Sequence, residues 1–178
     1  LQVNNNTSPQ VLGTLIDLEV EESNIKQLLY NLRGSCPADE LIAEFTKRAK
    51  HRVLEEWLEQ RVAEGNTAQS IHNALAKIVI DTDKNPQKFL AENKFYDSKT
   101  IGKYCEETDS HLAVICYERD FGNCDMELIE LTNKNTLYRV QAKYLVKRKE
   151  KELWELVLTP DNPTGSKSSS RWFLLHCH

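Results

Sequence analysis

Four residues with metal-binding side chains, Cys105, His111, Cys116 and Cys124, fall within twenty residues of one another. A structural zinc site is usually read from tight pairs such as C-x2-C or H-x3-H, which bring two ligands to one ion from a single turn. The gaps here are five, four and seven residues, with no tight pair. Cys105 and Cys116 also take positions on apolar helical faces, where a thiol packs as a small hydrophobe. Cys105 and Cys116 are therefore read as packing residues, and no metal or cofactor is assigned to the group. His176-Cys177-His178 repeats the residue types at the chain end without any pattern around them.

Nucleophilic and acid–base chemistry fare no better. There is no G-x-S-x-G elbow, no H-E-x-x-H pair and no glycine-rich phosphate loop. The six glycines stand alone. Glu55-Glu56 and Glu106-Glu107 are adjacent in sequence, so neither pair shares a helix face. They read as solvated or helix-end charge. Asp39 and Glu40 follow Pro37 in a first helical turn, where negative charge suits the helix dipole. Catalysis is not expected of this chain.

The sharpest charged feature is Lys147-Arg148-Lys149, with Lys143 and Lys151 close by. Cations are favourable at a helix C-terminus, which gives the run a local explanation. It also fits a docking patch for an acidic partner segment, attracted through screened electrostatics.

These residues must be carried by helices. The recurring unit is a cap residue, an apolar i, i+3, i+4 pattern, then a break. Ser8-Pro9 opens the first, with Val11, Leu12, Leu15 and Ile16 inward. Ser23 or Asn24 opens the second, with Ile25, Leu28, Leu29 and Leu32, and Gly34 stops it. The third follows Pro37, with Leu41, Ile42 and Phe45. The fourth carries Val53, Leu54, Trp57, Leu58 and Val62 and ends at Gly65. Thr67 caps the fifth, with Ile71, Ala74, Leu75, Ile78 and Val79. Asn85-Pro86, Asp97-Ser98, Asp109 and Asn135 start later ones, and Met126, Leu128, Ile129 and Leu131 mark another. The last carries Leu153, Trp154, Leu156 and Val157. That makes roughly eleven helices, with "AKIVI" (76–80) kept helical rather than extended.

Helices of this length are marginal alone and must bury a face on neighbours. Nearly every segment keeps a charged face beside its apolar one. An all-α stack of short antiparallel hairpins predicts that pattern, since each pair touches only the pairs beside it. A weak echo relates Lys103-Tyr104 to Lys143-Tyr144, a spacing that would fit a helical repeat of about 40 residues.

The totals agree. The chain has 178 residues, 40% apolar and 28% charged, and a net charge of −4, which does not suit a duplex binder. No run of 18 apolar residues is present to span a membrane. Five cysteines at irregular spacing fit reduced thiols. The chain begins at Leu1, has Met126 as its only methionine and shows no secretory signal, so a piece of a longer chain is expected.

The stretches "HNALAKIVID" (72–81), "NPQKFLAENKFYDSKTIGKYCEETDSHLAVICYER" (85–119), "CDMELIELTNKNTLYRVQAKYLVKRK" (124–149) and "ELWELVL" (152–158) resemble the clathrin heavy-chain family. The likeness runs roughly from Gln10 to Leu158, and "ERDFGNCD" (118–125) carries two extra residues that a loop absorbs. The resemblance implies a right-handed α-α superhelix of short antiparallel hairpins, similar to armadillo repeats, near the bend of the leg. On it, residues 1–9 are a flexible start, 10–159 a solenoid segment joining two successive leg repeats, and 160–178 an irregular tail. A truncated or misread gene end is one reading of that tail. The implied role is structural: a leg segment of the triskelion that builds the lattice of coated pits and vesicles in endocytosis and intracellular protein transport. The implied place is the cytoplasmic face of those coats, with the membrane reached only through adaptors. Other heavy chains and the acidic light chain are the implied partners, with Lys147, Arg148 and Lys149 as the light-chain contact. The alternative is a helical-repeat scaffold of a vacuolar sorting or tethering complex.

Overall fold

One kind of corner recurs along this chain. A helix ends, one residue turns left-handed, and the amide after it donates back to a carbonyl five residues earlier. Val20 N–H donates to Leu15 C=O at 3.1 Å, Lys50 to Phe45 at 2.9 Å, Asn66 to Arg61 at 3.0 Å, Lys84 to Val79 at 3.2 Å and Leu137 to Thr132 at 2.8 Å. The left-handed residues are Glu19, Ala49, Gly65, Asp83 and Thr136. This arrangement satisfies carbonyls that the end of a helix leaves open.

The computed structural model describes residues 8–32 and 36–158. They hold eleven α-helices, and no strand occurs among the described residues. The chain divides into two units at Asp97/Ser98. The first holds α1 (Ser8–Asp17), α2 (Glu22–Leu32), α3 (Ala38–Lys47), a 3-10 turn (His51–Leu54) that runs into α4 (Glu55–Ala63), α5 (Gln69–Asp81) and α6 (Pro86–Glu92). The second holds α7 (Ser98–Glu106), α8 (Ser110–Arg119), α9 (Asp125–Lys134), α10 (Tyr138–Arg148) and α11 (Lys151–Leu158). "AKIVI" lies inside α5, as its helical frame required. The tail expected over 160–178, Gly34 as a helix stop, and all but the last two residues of the expected flexible start lie outside the described residues. Ser8 and Pro9 of that start already belong to α1.

Side-chain pairing fixes the helix directions. In the first unit Gln10 reaches Glu40, Asp17 reaches Arg48 and Lys26 reaches Glu56, at sequence offsets of 30, 31 and 30. The near-equal offsets of the Gln10–Glu40 and Asp17–Arg48 pairs mean that α1 runs parallel to α3, while Lys26–Glu56 joins α2 to α4. In the second unit Ser98 pairs with Arg119, and Gly102 lies against Tyr117. Asp125 pairs with Tyr144 and Ile129 with Gln141. There the sequence numbers sum to nearly constant values, so α7–α8 and α9–α10 are antiparallel hairpins. Each unit is thus the expected all-α stack of short hairpins, with a spatial period in the first near 30 residues rather than 40.

The 40-residue echo does not mark equivalent places. Tyr104 is half-buried on the first helix of its hairpin, whereas Tyr144 is fully buried on the second. The true counterpart of Tyr144 is Tyr117. Each lies on the second helix of its hairpin, and each donates its hydroxyl to a carboxylate of the helix before, Asp125 and Glu106 respectively.

Leu12, Ile25, Leu29, Leu41, Phe45, Leu54, Trp57, Leu58, Ile71, Leu75 and Ile78 form one core in the first unit. Met126, Val11, Leu28 and Leu156, expected inward, are exposed. Met126 stands two residues before Leu128, which is about 200° around the helix and so on the far side from that buried residue.

Buried phenols make a pH dependence. Burial, and next the bonds to Glu106 and Asp125, raise the pKa of Tyr117 and Tyr144 above the ordinary 10.0. Between those values the native state holds protons that the unfolded chain has lost. The contribution is therefore complete below pH 10 and is lost as the pH rises through the folded pKa values. Urea midpoints of the second unit, followed from about pH 8 to about pH 11, should fall. Tyr117→Phe with Tyr144→Phe should flatten that slope; an unchanged slope would assign it to other groups.

Candidate interaction surface

Helix α10 reads Tyr-Arg-Val-Gln-Ala-Lys-Tyr-Leu-Val-Lys-Arg and contains no carboxylate. Its inner face is Gln141, Ala142, Tyr144 and Leu145, all buried. The Gln141 amide is engaged: its Nε2 donates to Thr132 Oγ1 at 3.0 Å and Asn133 Oδ1 at 2.9 Å. With that face inward, Arg139, Lys143, Val146 and Lys147 stand exposed on the opposite one.

The run Lys147-Arg148-Lys149 does not form one patch, because consecutive residues stand 100° apart on a helix. Lys147 belongs to the outer face. Arg148 points inward, 15% exposed, and donates from Nη2 and Nε to Asp125 Oδ2 at 2.9 and 3.2 Å. It also pairs with Glu150 and lies 4.9 Å from the centre of the Phe121 ring. Its hydrogen bond to Asp125 raises the guanidinium pKa still further. Lys149 is the exposed C-cap, left-handed at φ 57°. Lys151 pairs with Glu155 at 3.1 Å. No acidic partner meets Arg139, Lys143, Lys147 or Lys149 among the described residues. Arg139 had no signal in the basic run, but its i, i+4, i+8 spacing with Lys143 and Lys147 reveals it once the helix frame is set.

The other candidates have structural surroundings. Cys105 and Cys116 face one another across α7 and α8, fully buried. The Cys116 hydrogen bond, followed by burial, pushes the Cys105 thiol far above its ordinary pKa. Cys124 is buried at the start of α9, and His111 is exposed on α8. No group of three or more His, Cys, Asp or Glu fit to hold a metal occurs among the described residues. His176, Cys177, His178 and Trp172 lie outside them. Glu55 pairs with Lys84, Glu56 with Lys26 at 3.2 Å, and Glu106 accepts the Tyr117 hydroxyl. Trp57 is 4% exposed in the core, and Trp154 packs on Ile129, Leu145 and Val157. The chemistry that this surface offers is charge and apolar area on a stack of short helices.

Known proteins are similar to this chain in sequence. The clathrin family model, described as a region in clathrin and VPS, matches residues 29–167. Over 161 residues the chain is 50% identical to the clathrin heavy chain of Dictyostelium discoideum, covering 90% of this chain and 9% of that protein. It is 48% identical over 161 residues to the probable clathrin heavy chain 1 of Caenorhabditis elegans, covering 90% of this chain and 10% of that one. It is 47% identical over 163 residues to clathrin heavy chain 2 of Homo sapiens, covering 92% of this chain and 10% of that one. The chain thus spans about a tenth of the length of these relatives. With short packed helices in both units and a family match across most of its length, this chain belongs to the clathrin family.

Proposed function

We propose that this chain is a structural segment of a clathrin heavy-chain leg. It would contribute to triskelion legs and to the lattice of coated pits and vesicles in endocytosis and intracellular transport. The observation that carries this reading is 47–50% identity to clathrin heavy chains over nine-tenths of the chain. The hairpins supply what such a part needs: a surface stiffened by ion pairs between helices, such as Asp17–Arg48 and Lys26–Glu56. The sorting-complex alternative has only the breadth of the family description behind it, since the relatives carrying the identity are clathrin heavy chains.

On this reading the partners are other heavy chains and, at the α10 corner, the acidic light chain. The place is the cytoplasmic face of the coat, reached from the membrane through adaptors. Lys147 and Lys149 would meet the light chain directly. Arg148, held by Asp125, would position the corner. The test is a full-length heavy chain carrying this segment in place of its own. Co-sedimentation should recover cages with light chain bound; loss of both cages and light chain would overturn the reading.

A further inference from the structure

The outer face of α10 is built against itself. Arg139 and Lys143 are a like-charged i, i+4 pair, and so are Lys143 and Lys147. Each such pair repels along the helix and weakens it. An ordinary solvent face mixes signs, which removes that repulsion. Val146, 46% exposed, stands about 20° from Arg139 around the helix, on the side away from Lys143, so the cationic strip has an apolar residue along one edge.

The first unit carries a surface of the opposite character. The α1–α2 corner reads Asp17-Leu18-Glu19-Val20-Glu21-Glu22. Asp17 is bound to Arg48 and Glu22 to Lys26. Glu19 and Glu21 are exposed and have no ion pair among the described residues. Leu18 stands between Asp17 and Glu19 at 68% exposure, more than any other large apolar side chain described. Glu19 is held left-handed at φ 54°, with its amide bonded to Ile16 C=O, so the corner is a fixed shape. Two residues along such a chain stand about 6 Å apart, close to the ~6 Å rise between helical positions i and i+4. Glu19 and Glu21 therefore match the spacing of Lys143 and Lys147, and Leu18 offers apolar area to Val146.

We propose that the Arg139–Lys143–Lys147 strip of one copy docks the Leu18–Glu21 corner of a second copy, in competition with the light chain for Lys147. The two surfaces differ, so the contact is head-to-tail and joins copies into an open array. The proposal rests on the assembly reading above and deepens it by naming the contact. Attraction between exposed charges is screened beyond a Debye length of about 10 Å at 0.1 M salt, so association should weaken as salt rises.

The test uses the full chain and two charge-reversed variants, Lys143→Glu/Lys147→Glu and Glu19→Lys/Glu21→Lys, each checked for native helicity by circular dichroism. Sedimentation at low salt should show self-association of the unaltered chain, weakened at least ~10-fold in either variant alone. Mixing the two variants should restore it, since each then offers what the other lacks. Carbodiimide coupling in a mixture of isotope-labelled and unlabelled chains should join Lys143 or Lys147 to Glu19 or Glu21 between copies. Undiminished association of folded variants, no recovery on mixing, or a monomeric unaltered chain would overturn the proposal. Cages from the grafted heavy chain would still form in those cases if the assembly reading holds, which separates the two.

Discussion

Gly102→Ala should destabilise the second unit by about 2 kcal/mol, although alanine is the better helix former by ~1 kcal/mol. The reason is the closeness of α7 and α8. A Cβ at position 102 would lie 2.2 Å from Tyr117 Cε1, 2.6 Å from Cζ and 2.8 Å from Cδ1. The ring has nowhere to go: Tyr117 is fully buried and its hydroxyl is held by Glu106. Overpacking of that kind usually costs ~1–3 kcal/mol, and contacts this short place the clash at or above the top of that range. Gly13→Ala is the control. Its nearest atoms, at 2.8 Å, are the ends of the Arg48 and Glu44 side chains, which can shift. That substitution should stay within about 1 kcal/mol of the unaltered chain. Tyr117→Leu should offset part of the Gly102→Ala loss, because the two positions share one contact. Urea unfolding with amide exchange on α7 and α8 reads the effect. A Gly102→Ala chain as stable as the unaltered one would show that the helices can part at little cost.

The same contact shows what the sequence could and could not reveal. Helix positions were legible because apolar spacing is local: Leu41 and Phe45, or Ile71, Leu75 and Ile78, announce a buried face on their own. Asp109 was legible as a cap, and its carboxylate does accept the His111 amide at 2.8 Å. Corners were less so. Sequence reasoning looks for glycine where the chain turns left-handed, and Gly65 obeys. Glu19, Ala49, Asp83 and Thr136 do the same work at about 1–2 kcal/mol each, a local cost that packing outweighs and that no residue type advertises. Other caps moved for a similar reason. Asn66, not Thr67, accepts the Ala68 amide before α5, and Asn135 closes α9 rather than opening α10. Asn85 precedes α6 in a left-handed conformation with no side-chain cap bond.

The candidate surface was half legible. Its charge was plain, because Lys147, Arg148 and Lys149 are consecutive. Its division was not, because the direction of Arg148 depends on Asp125, 23 residues earlier. Gly102 was equally opaque: nothing near it in sequence foretells a tyrosine ring in van der Waals range from the next helix. Pairings of this kind arise between helices, and one chain's periodicity describes each helix singly.

Asp125→Ala should cost the second unit about 4 kcal/mol, the largest loss expected from removing one polar side chain there. Asp125 accepts the Tyr144 hydroxyl on one carboxylate oxygen and Arg148 on the other. Without it, the buried phenol keeps only the Gly122 amide at 3.5 Å. That amide is a donor, so the phenolic proton is left with no acceptor, a loss of roughly 1–3 kcal/mol. Arg148, 15% exposed beside a carboxylate that is 12% exposed, loses its inner partner and keeps Glu150. Breaking a fully buried ion pair costs ~3–5 kcal/mol, and the remaining partner and partial exposure bring this one to about half. A negative charge also leaves the first turn of α9, removing a further ~0.3–1 kcal/mol. Glu150→Ala, on the exposed side of the same guanidinium, should cost no more than about 1 kcal/mol. Asp125→Asn should fall between, since it can still accept from Tyr144 but offers Arg148 no charge. Urea unfolding reads the order of the three, and amide exchange should quicken most in the last turn of α10. An Asp125→Ala chain no less stable than Glu150→Ala would mean that the inner carboxylate does not hold the corner, and that Arg148 is as free to meet a partner as Lys147.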